Sequence, residues 1–199
     1  HPALIEDYAN LARGALALFE ATGEDRFLEQ ARSWVAAADR HHWDSAGAGY
    51  FHSADDTTDV IARSKTINDN AVPSGNGTMV EVLSRLYLHT GDDAYRQRAE
   101  AVVQLFSGDN SQYLLTVPGL LSSAEVLQRA IQVVVVGDRI TPAATALRRR
   151  RLNGEVLEAS TLLVLTARSN YVAAALLTAL RAADDHVVAI GRTRGTVNA

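Results

Sequence analysis

Cysteine is absent from the 199 residues of this sequence, and lysine occurs only once. A chain without cysteine forms no disulfide, carries no thiolate nucleophile and has no cysteine-ligated metal site. Any redox chemistry would therefore have to come from another chain or domain.

Long apolar runs are also missing. The longest ones, such as residues 133–136 and 171–180, fall far short of the roughly 20 residues that a membrane-spanning helix needs. The chain opens with His1-Pro2, without an initiator methionine or a charged-then-apolar leader, a pattern typical of a truncated or processed start. We therefore expect a soluble, cytoplasmic protein without a membrane partner.

The sequence has no long segment in which charges of one sign are concentrated. The formal net charge is −4, and positive and negative residues are interspersed along most of the chain. This distribution argues against a nucleic-acid partner, and the one basic run, residues 148–151, is typical of an exposed helix face. With 47% hydrophobic residues, the chain is long enough for one core and a small second unit.

An internal repeat appears when the sequence is aligned with itself at an offset of 68 residues. Residues 22–25 (Thr-Gly-Glu-Asp) match residues 90–93 (Thr-Gly-Asp-Asp), with an aromatic and an alanine at equal distances behind each turn. Glycine permits the left-handed conformation that ends a helix, and the acidic residues after it favour the start of the next helix. The sequence therefore predicts two helical hairpins, with helices at about 4–21, 25–40, 75–89 and 93–107.

The pattern changes beyond Gly108. A helix near 119–130 is followed by the buried-strand run 131–136, and an α/β alternation is predicted to continue through a helix at 142–151, a strand at 162–165, a helix at 170–182 and a strand at 186–190. We therefore predict a mainly α protein, with helical hairpins in residues 1–130 and a small α/β unit in residues 131–199.

The stretch from His41 to Pro73 lies between the hairpins and is rich in Gly, Asp, Ser and Thr. It is too long for a bare connector, and residues 49–52 are predicted to form a short strand. An ordered series of residues runs through it: Gly49-Tyr50-Phe51, Ser53, Asp55, Val60-Ile61, Arg63, Lys65, Asp69-Asn70-Ala71 and Pro73-Ser74-Gly75-Asn76.

This series resembles the signature of the spermatogenesis-associated, thioredoxin-domain-containing protein family, over about residues 4–148. Ala48 departs from it, because the family usually has glycine there. The resemblance implies a partial (α/α) toroid of the six-hairpin glycosidase type, similar to N-acylglucosamine 2-epimerases. It also implies that the thioredoxin-like domain and the other hairpins of the parent chain are missing partners of this fragment.

Arg63, Lys65 and Asp69 are candidate site residues because they lie inside the resembling series and Lys65 is the only lysine. Beside Asp55, they would bind hydroxyl groups or perform acid/base chemistry in a ring cavity. The alternative is that they form salt bridges that fix a long loop to the hairpins.

Further ligand-binding candidates follow at Asn70, Ser74 and Asn76. Ser74 is also the predicted N-cap of the third helix, where free N–H groups bind anionic or polar ligands. His41 and His42 end the second helix, and neighbouring histidines rarely bind one ion. No third ligand is evident, so we predict no metal site. The Gly-x-Gly-x-x-Gly fingerprint is missing, and no cofactor is expected.

Two functions remain open from the sequence. The first is a non-catalytic binding or scaffold module that has a cavity for a carbohydrate-like small molecule and presents the thioredoxin-like domain. The second is a sugar epimerase, isomerase or glycosidase that uses Asp55, Asp69, Arg63 and Lys65. A fragment without independent activity is also possible, because apolar faces meant for the missing hairpins would be exposed.

Overall fold

The computed structural model describes residues 3–58, 60–108, 115–129, 131–136, 156–159, 162–167 and 186–192. Within these residues the protein is mainly helical. Its five helices are α1 (Ile5–Thr22), α2 (Asp25–His41), α3 (Gly75–Thr90), α4 (Asp93–Phe106) and α5 (Pro118–Arg129). Every predicted helix end in this part of the chain lies within one residue of the observed end. None of the described helices is long and apolar enough to cross a membrane.

The two repeated turns are built in the same way. Gly23 and Gly91 both have a φ of 70°, the left-handed conformation that an L side chain disfavours. Their N–H groups donate to the carbonyls of Phe19 and Tyr87, at 2.6 and 2.8 Å. Both predicted hairpin turns are thus confirmed.

Helix α3 lies at the centre of the core. Nearly every residue from its first turn to Leu86 is buried, because neighbours cover it on all sides. The fully buried side chains of this core include Ile5, Leu16, Val35 and Tyr50, together with Met79, Leu83 and Leu86 of α3 itself. Polar residues such as Asn76, Ser84 and Arg85 are buried on α3 as well. A helix that is buried on nearly every side in this way is a core helix rather than a surface helix.

The described strands form one antiparallel sheet, in the order β2, β3, β1, β4. The strands are β1 (Ile131–Val136), β2 (Val156–Ala159), β3 (Leu162–Ala167) and β4 (His186–Arg192). The sequence predicts strands at the places of β1, β3 and β4 but misses β2.

Antiparallel pairing differs from the parallel pairing that a βαβ alternation normally gives. The predicted helices at 142–151 and 170–182 lie outside the described residues, so the α/β unit stays a prediction. The chain divides into two compact units, His1–Leu16 with Asp25–Leu127, and Ala17–Glu24 with Gln128–Ala199. A domain boundary after residue 130 also stays a prediction.

Two glycine substitutions should change stability in opposite directions. At Gly14, in the middle of α1, an added Cβ meets nothing within 4 Å. We expect Gly14→Ala to raise the free energy of unfolding by about 0.5–1 kcal/mol, because alanine loses less backbone entropy in a helix. Gly91→Ala also meets no atom within 4 Å, but the φ of 70° is strained for alanine. It should lower the free energy by about 1 kcal/mol, and urea denaturation checks both values. Changes of equal sign would contradict the backbone explanation.

Candidate functional site

Residues 42–74 join α2 to α3, and we call them the connecting segment. Their backbone folds back on itself: Phe51 N–H donates to the carbonyl of His42 at 2.8 Å, and His52 N–H donates to the carbonyl of Ser64 at 2.7 Å. The predicted short strand is represented by a single antiparallel bridge between Trp43 and Tyr50. The segment is therefore an ordered excursion, as its aromatic content indicates.

Asn76 fixes the connecting segment to α3. Its side chain is fully buried, and its Oδ1 accepts a hydrogen bond from Tyr50 N–H at 2.8 Å. Its Nδ2 donates to the carbonyls of Tyr50 and Thr66, both at 2.9 Å. The amide therefore satisfies backbone groups from two separate stretches of the segment at once. This predicted ligand-binding residue has three of its four hydrogen-bonding positions occupied inside the protein.

Asp69 links the end of the connecting segment to α5. Its Oδ1 accepts from Ser74 N–H at 2.8 Å, and its Oδ2 accepts from Gly119 N–H at 2.6 Å. Gly119 is the second residue of α5, where the orphan N–H groups of a helix start favour a carboxylate. Asp69 thus acts as a cap, and both of its oxygens are occupied.

The other two ligand-binding candidates near the start of α3 differ in exposure. Ser74 is the N-cap of α3, as predicted, and its Oγ accepts from Gly77 N–H at 3.2 Å. Asn70 is exposed in a turn in which its N–H donates to the carbonyl of Val72 at 3.2 Å. Ser74 is thus buried in a capping contact, whereas the Asn70 side chain is exposed.

Lys65 holds the tip of the connecting segment. Its Nζ lies 2.6 Å from Asp44 Oδ2, with side chains that are 16% and 21% exposed, and it also donates to the carbonyl of Ala48. The hydrogen bond from Lys65, helped by the N–H groups of Ala46 and Gly47, lowers the pKa of Asp44 to about 2. The single lysine therefore closes a local ion pair.

Arg63 and Lys65 both lie over the ring of Phe51. The Arg63 guanidinium donates to the carbonyl of Ser53 at 3.0 Å and to the carbonyl of His41 at 2.7 Å. Because His41 is the last residue of α2, Arg63 satisfies a carbonyl at the negative end of that helix. The Arg63 Cζ and the Lys65 Nζ lie 4.2 and 4.9 Å from the centroid of Phe51. The two cations stabilise the segment through the face of this ring.

Asp55 is exposed and has a different partner from Asp69. Its carboxylate is 2.9 Å from His41 Nδ1, and the hydrogen bond from His41 lowers the pKa of Asp55. Ligand atoms of His41, Asp55 and Asp56 lie within 4.8 Å of one another. The sequence argument missed this possible third ligand, although His42 takes no part in the group. Because both aspartates are exposed, and exposed acidic groups are common without an ion, the predicted absence of a metal site stays a prediction.

The sequence reasoning also missed a buried polar network. Tyr50 OH donates to Asp39 Oδ1 at 2.7 Å, and Arg98 from α4 pairs with the other oxygen of Asp39. Burial raises the pKa of Tyr50 well above its ordinary value, so the phenol stays protonated. Trp43 packs edge-on against Tyr50, with ring centroids 5.0 Å apart, and Arg98 lies 4.8 Å from the Trp43 centroid. No motif signals this network, since Asp39 and Arg98 are 59 residues apart.

His42 is a second buried polar group behind the segment. Its Nδ1 lies 2.9 Å from the carbonyl of Phe51, so Nδ1 carries the proton. Its ring also packs edge-on against Tyr8 at 5.5 Å, and burial lowers the pKa of His42. This histidine is therefore a neutral structural residue that joins the start of the segment to Phe51.

Ala48 occupies a conformation that suits glycine. Its φ is 57°, and it precedes Gly49, whose φ is 74°. A glycine, which the resemblance implies at position 48, would adopt this conformation without strain. Ala48→Gly should raise the free energy of unfolding by about 1 kcal/mol, because it relieves the left-handed strain.

The matched control for that change is Gly49→Ala. There an added Cβ would lie 2.6 Å from Leu105 Cδ2 and would also be strained, so the protein should lose stability. Urea denaturation of the two variants measures both effects. A loss of stability in Ala48→Gly would show that the left-handed turn is not the constraint at this position.

The chain is similar in sequence to parts of longer known proteins. Spermatogenesis-associated protein 20 of Rattus norvegicus is 34% identical over 136 residues, which are 67% of this chain and 17% of that protein. The Homo sapiens protein of the same name is 33% identical over 137 residues, again 17% of its length. An uncharacterized protein of Caenorhabditis elegans is 33% identical over 162 residues, which are 78% of this chain and 21% of that protein. No family model matches the chain.

The predicted resemblance to the spermatogenesis-associated family is therefore confirmed as homology over two thirds of this chain. The toroid and the thioredoxin-like domain that the resemblance implies stay predictions. The chain spans only 17% of the length of the mammalian relatives. It is homologous to a part of spermatogenesis-associated protein 20.

Proposed function

We propose that this chain is a non-catalytic scaffold module of a longer protein, in which the connecting segment is rigid and fixes neighbouring helices. One observation carries the proposal. Arg63, Lys65, Asp69 and Asn76 direct their polar atoms at backbone groups or at Asp44, within the protein itself.

The chemistry of these contacts disfavours acid/base catalysis. An aspartate that acts as a general acid or base needs a carboxyl oxygen within hydrogen-bond reach of a substrate. Both oxygens of Asp69 already accept backbone N–H groups of the protein, from Ser74 and Gly119. Asp55 is exposed and faces His41 rather than Asp69. Each carboxylate is thus paired with another group of the protein, which favours a structural role.

The same contacts explain how the connecting segment fixes the helices. Arg63 joins it to the end of α2, Asn76 joins it to α3, and Asp69 joins it to α5. Three helices from different parts of the chain are therefore held by one segment. A module of this kind would keep the hairpins in register for a larger helical assembly, such as the toroid that the resemblance implies. The assembly would in turn position a thioredoxin-like domain in the parent protein.

The ion pair of Lys65 with Asp44 should appear in the acid stability of the protein. Because the folded pKa of Asp44 is about 2 and the ordinary value is 3.8, its stabilising effect is complete above pH 4. The effect is lost as the pH falls from about 4 towards 2, since the unfolded chain binds the proton first. Lys65→Met and Asp44→Asn should each weaken this loss, as measured by thermal unfolding at pH 4 and at pH 2.5.

Asp56→Asn provides the control, because it removes an exposed aspartate of the same segment. It should leave the difference between the thermal midpoints at pH 4 and pH 2.5 as it is in the original chain. If Lys65→Met also left this difference unchanged, the ion pair would not stabilise the connecting segment in solution.

A ligand titration separates the scaffold from a sugar-binding protein. A ligand that binds only the folded state at 100 times its Kd adds about 2.7 kcal/mol to the free energy of unfolding. We expect no shift of the thermal midpoint with mono- and disaccharides at millimolar concentration. A saturable rise that disappears in Asp55→Asn, an exposed position, would instead support the carbohydrate-binding function.

A further inference from the structure

Asn76 is followed by Gly77, and this residue pair has a chemical reactivity that the scaffold function does not use. In a flexible chain, the backbone nitrogen of the residue after an asparagine attacks the side-chain amide carbon, Cγ. Glycine hinders this attack least, because it has no Cβ and restricts the backbone least. The sequence contains two such pairs, Asn76-Gly77 and Asn153-Gly154. The first lies within the described residues, and the second lies outside them.

The reaction replaces the amide of the asparagine by an acid. Gly77 N forms a bond to Asn76 Cγ and loses its proton, while the bond from Cγ to Nδ2 breaks and Nδ2 leaves as ammonia. Water then opens the resulting cyclic imide at either of its carbonyl carbons. The product is aspartate, or isoaspartate, in which the main chain runs through Cγ. Water is the co-reactant, and no oxidant or reductant is needed.

The folded protein holds the reacting atoms in other contacts. The nucleophile, Gly77 N–H, donates to Ser74 Oγ at 3.2 Å. The leaving nitrogen, Asn76 Nδ2, donates to the carbonyls of Tyr50 and Thr66, both at 2.9 Å. Asn76 is also fully buried, so water does not reach its Cγ. The reaction therefore has to wait until the connecting segment leaves α3 and the first turn of α3 opens.

The packing of α3 explains why a reactive pair occurs at this position. An added Cβ at Gly77 would lie 2.9 Å from Ser74 Oγ and 3.2 Å from Leu120 N, so a larger residue would disturb the cap of α3 or its contact with α5. Asn76 in turn supplies one acceptor and two donors to the backbone of the connecting segment. Both residues of the pair are therefore needed by the fold.

An aspartate at position 76 would not make the same contacts. In its ionised form it has no donor for the carbonyls of Tyr50 and Thr66, and its buried charge would face both oxygens. In its protonated form it has a single donor, so one of the carbonyls is left unsatisfied. Isoaspartate lengthens the main chain in the first turn of α3, where Thr78 N–H donates to the carbonyl of Ser74 at 2.9 Å. Each product therefore prevents the connecting segment from binding to α3.

We propose that Asn76-Gly77 is a latent deamidation site that makes prolonged opening of the connecting segment irreversible. While the segment is bound to α3, the amide is protected. While the segment is open, water converts Asn76 to aspartate or isoaspartate, and the segment then does not bind again. The lifetime of the folded module depends on how much time the segment spends open. The proposal holds whether the module is a scaffold or binds a ligand.

The first test uses the 199-residue chain with Asn153→Ser, which leaves Asn76-Gly77 as its single Asn-Gly pair. Samples are kept at weakly alkaline pH, either folded or unfolded in guanidinium chloride, which forms no cyanate that would modify Lys65. Peptide mapping by mass spectrometry measures the amide and the acid at position 76. We expect deamidation to be about a hundredfold slower in the folded chain, or slower still. Comparable rates in the two samples would overturn the proposal.

The second test asks whether deamidation prevents refolding. Unfolded samples are diluted out of denaturant after increasing times, and the refolded chains are separated by size-exclusion chromatography. The refolded fraction should fall in step with the remaining amide at position 76. Samples unfolded for the same times at weakly acidic pH are the control, because the backbone nitrogen attacks slowly there, and they should refold fully. Refolded chains that carry the acid in the same proportion as the whole sample would contradict the proposal.

A pair of variants tests the product without any refolding step. Asn76→Asp should lower the thermal midpoint by about 10 °C or more, because it leaves backbone carbonyls of the connecting segment unsatisfied. Asn70→Asp makes the same chemical change at an exposed position of that segment, and it should move the midpoint by no more than about 2 °C. If the Asn76→Asp chain were as stable as the Asn70→Asp chain, deamidation would not block the closed state and the proposal would be wrong.

Discussion

The buried side-chain amide of Asn76 is the contact on which the rest of the helical region depends. It accepts from the N–H of Tyr50, donates to the carbonyl of Tyr50, and also donates to the carbonyl of Thr66. A buried amide is costly unless its hydrogen bonds are made, so the geometry of these three bonds is strongly selected. Once Tyr50 is fixed, its hydroxyl reaches Asp39, and Arg98 of α4 follows. One side chain at the start of α3 thereby orders contacts that extend to α2 and α4.

The helices could be predicted closely because their signals are local. Apolar spacing, the Thr-Gly-acidic turns and the Ser74 cap each act within a few residues, and they agree with one another. The roles of the polar residues could not be predicted in the same way. Asp69 caps a helix that begins 49 residues later, and no local pattern identifies Gly119 as its partner. The Asp39 network has the same property, since its members come from three separate elements.

A residue series that is typical of a catalytic or ligand-binding site can therefore have a structural role. Arginine, lysine, aspartate and asparagine are the residues that bind polar ligands, and they are also the residues that satisfy backbone groups in a long ordered segment. The sequence alone leaves both functions open for Arg63 and Lys65. The structure aims both cations at carbonyls and at the face of Phe51. Strand β2 was not predicted from the sequence either, because the apolar pattern of a four-residue strand is too short to be recognised.

The position of the single lysine has a practical consequence. Amine-directed reagents find one side-chain target in this protein, and that ammonium is mostly enclosed between Asp44 and the carbonyl of Ala48. Acylation of Lys65 requires the free amine, so it has to wait until the tip of the connecting segment opens. The rate of this one modification would therefore report the local opening of the segment, independently of the unfolding of the helices around it.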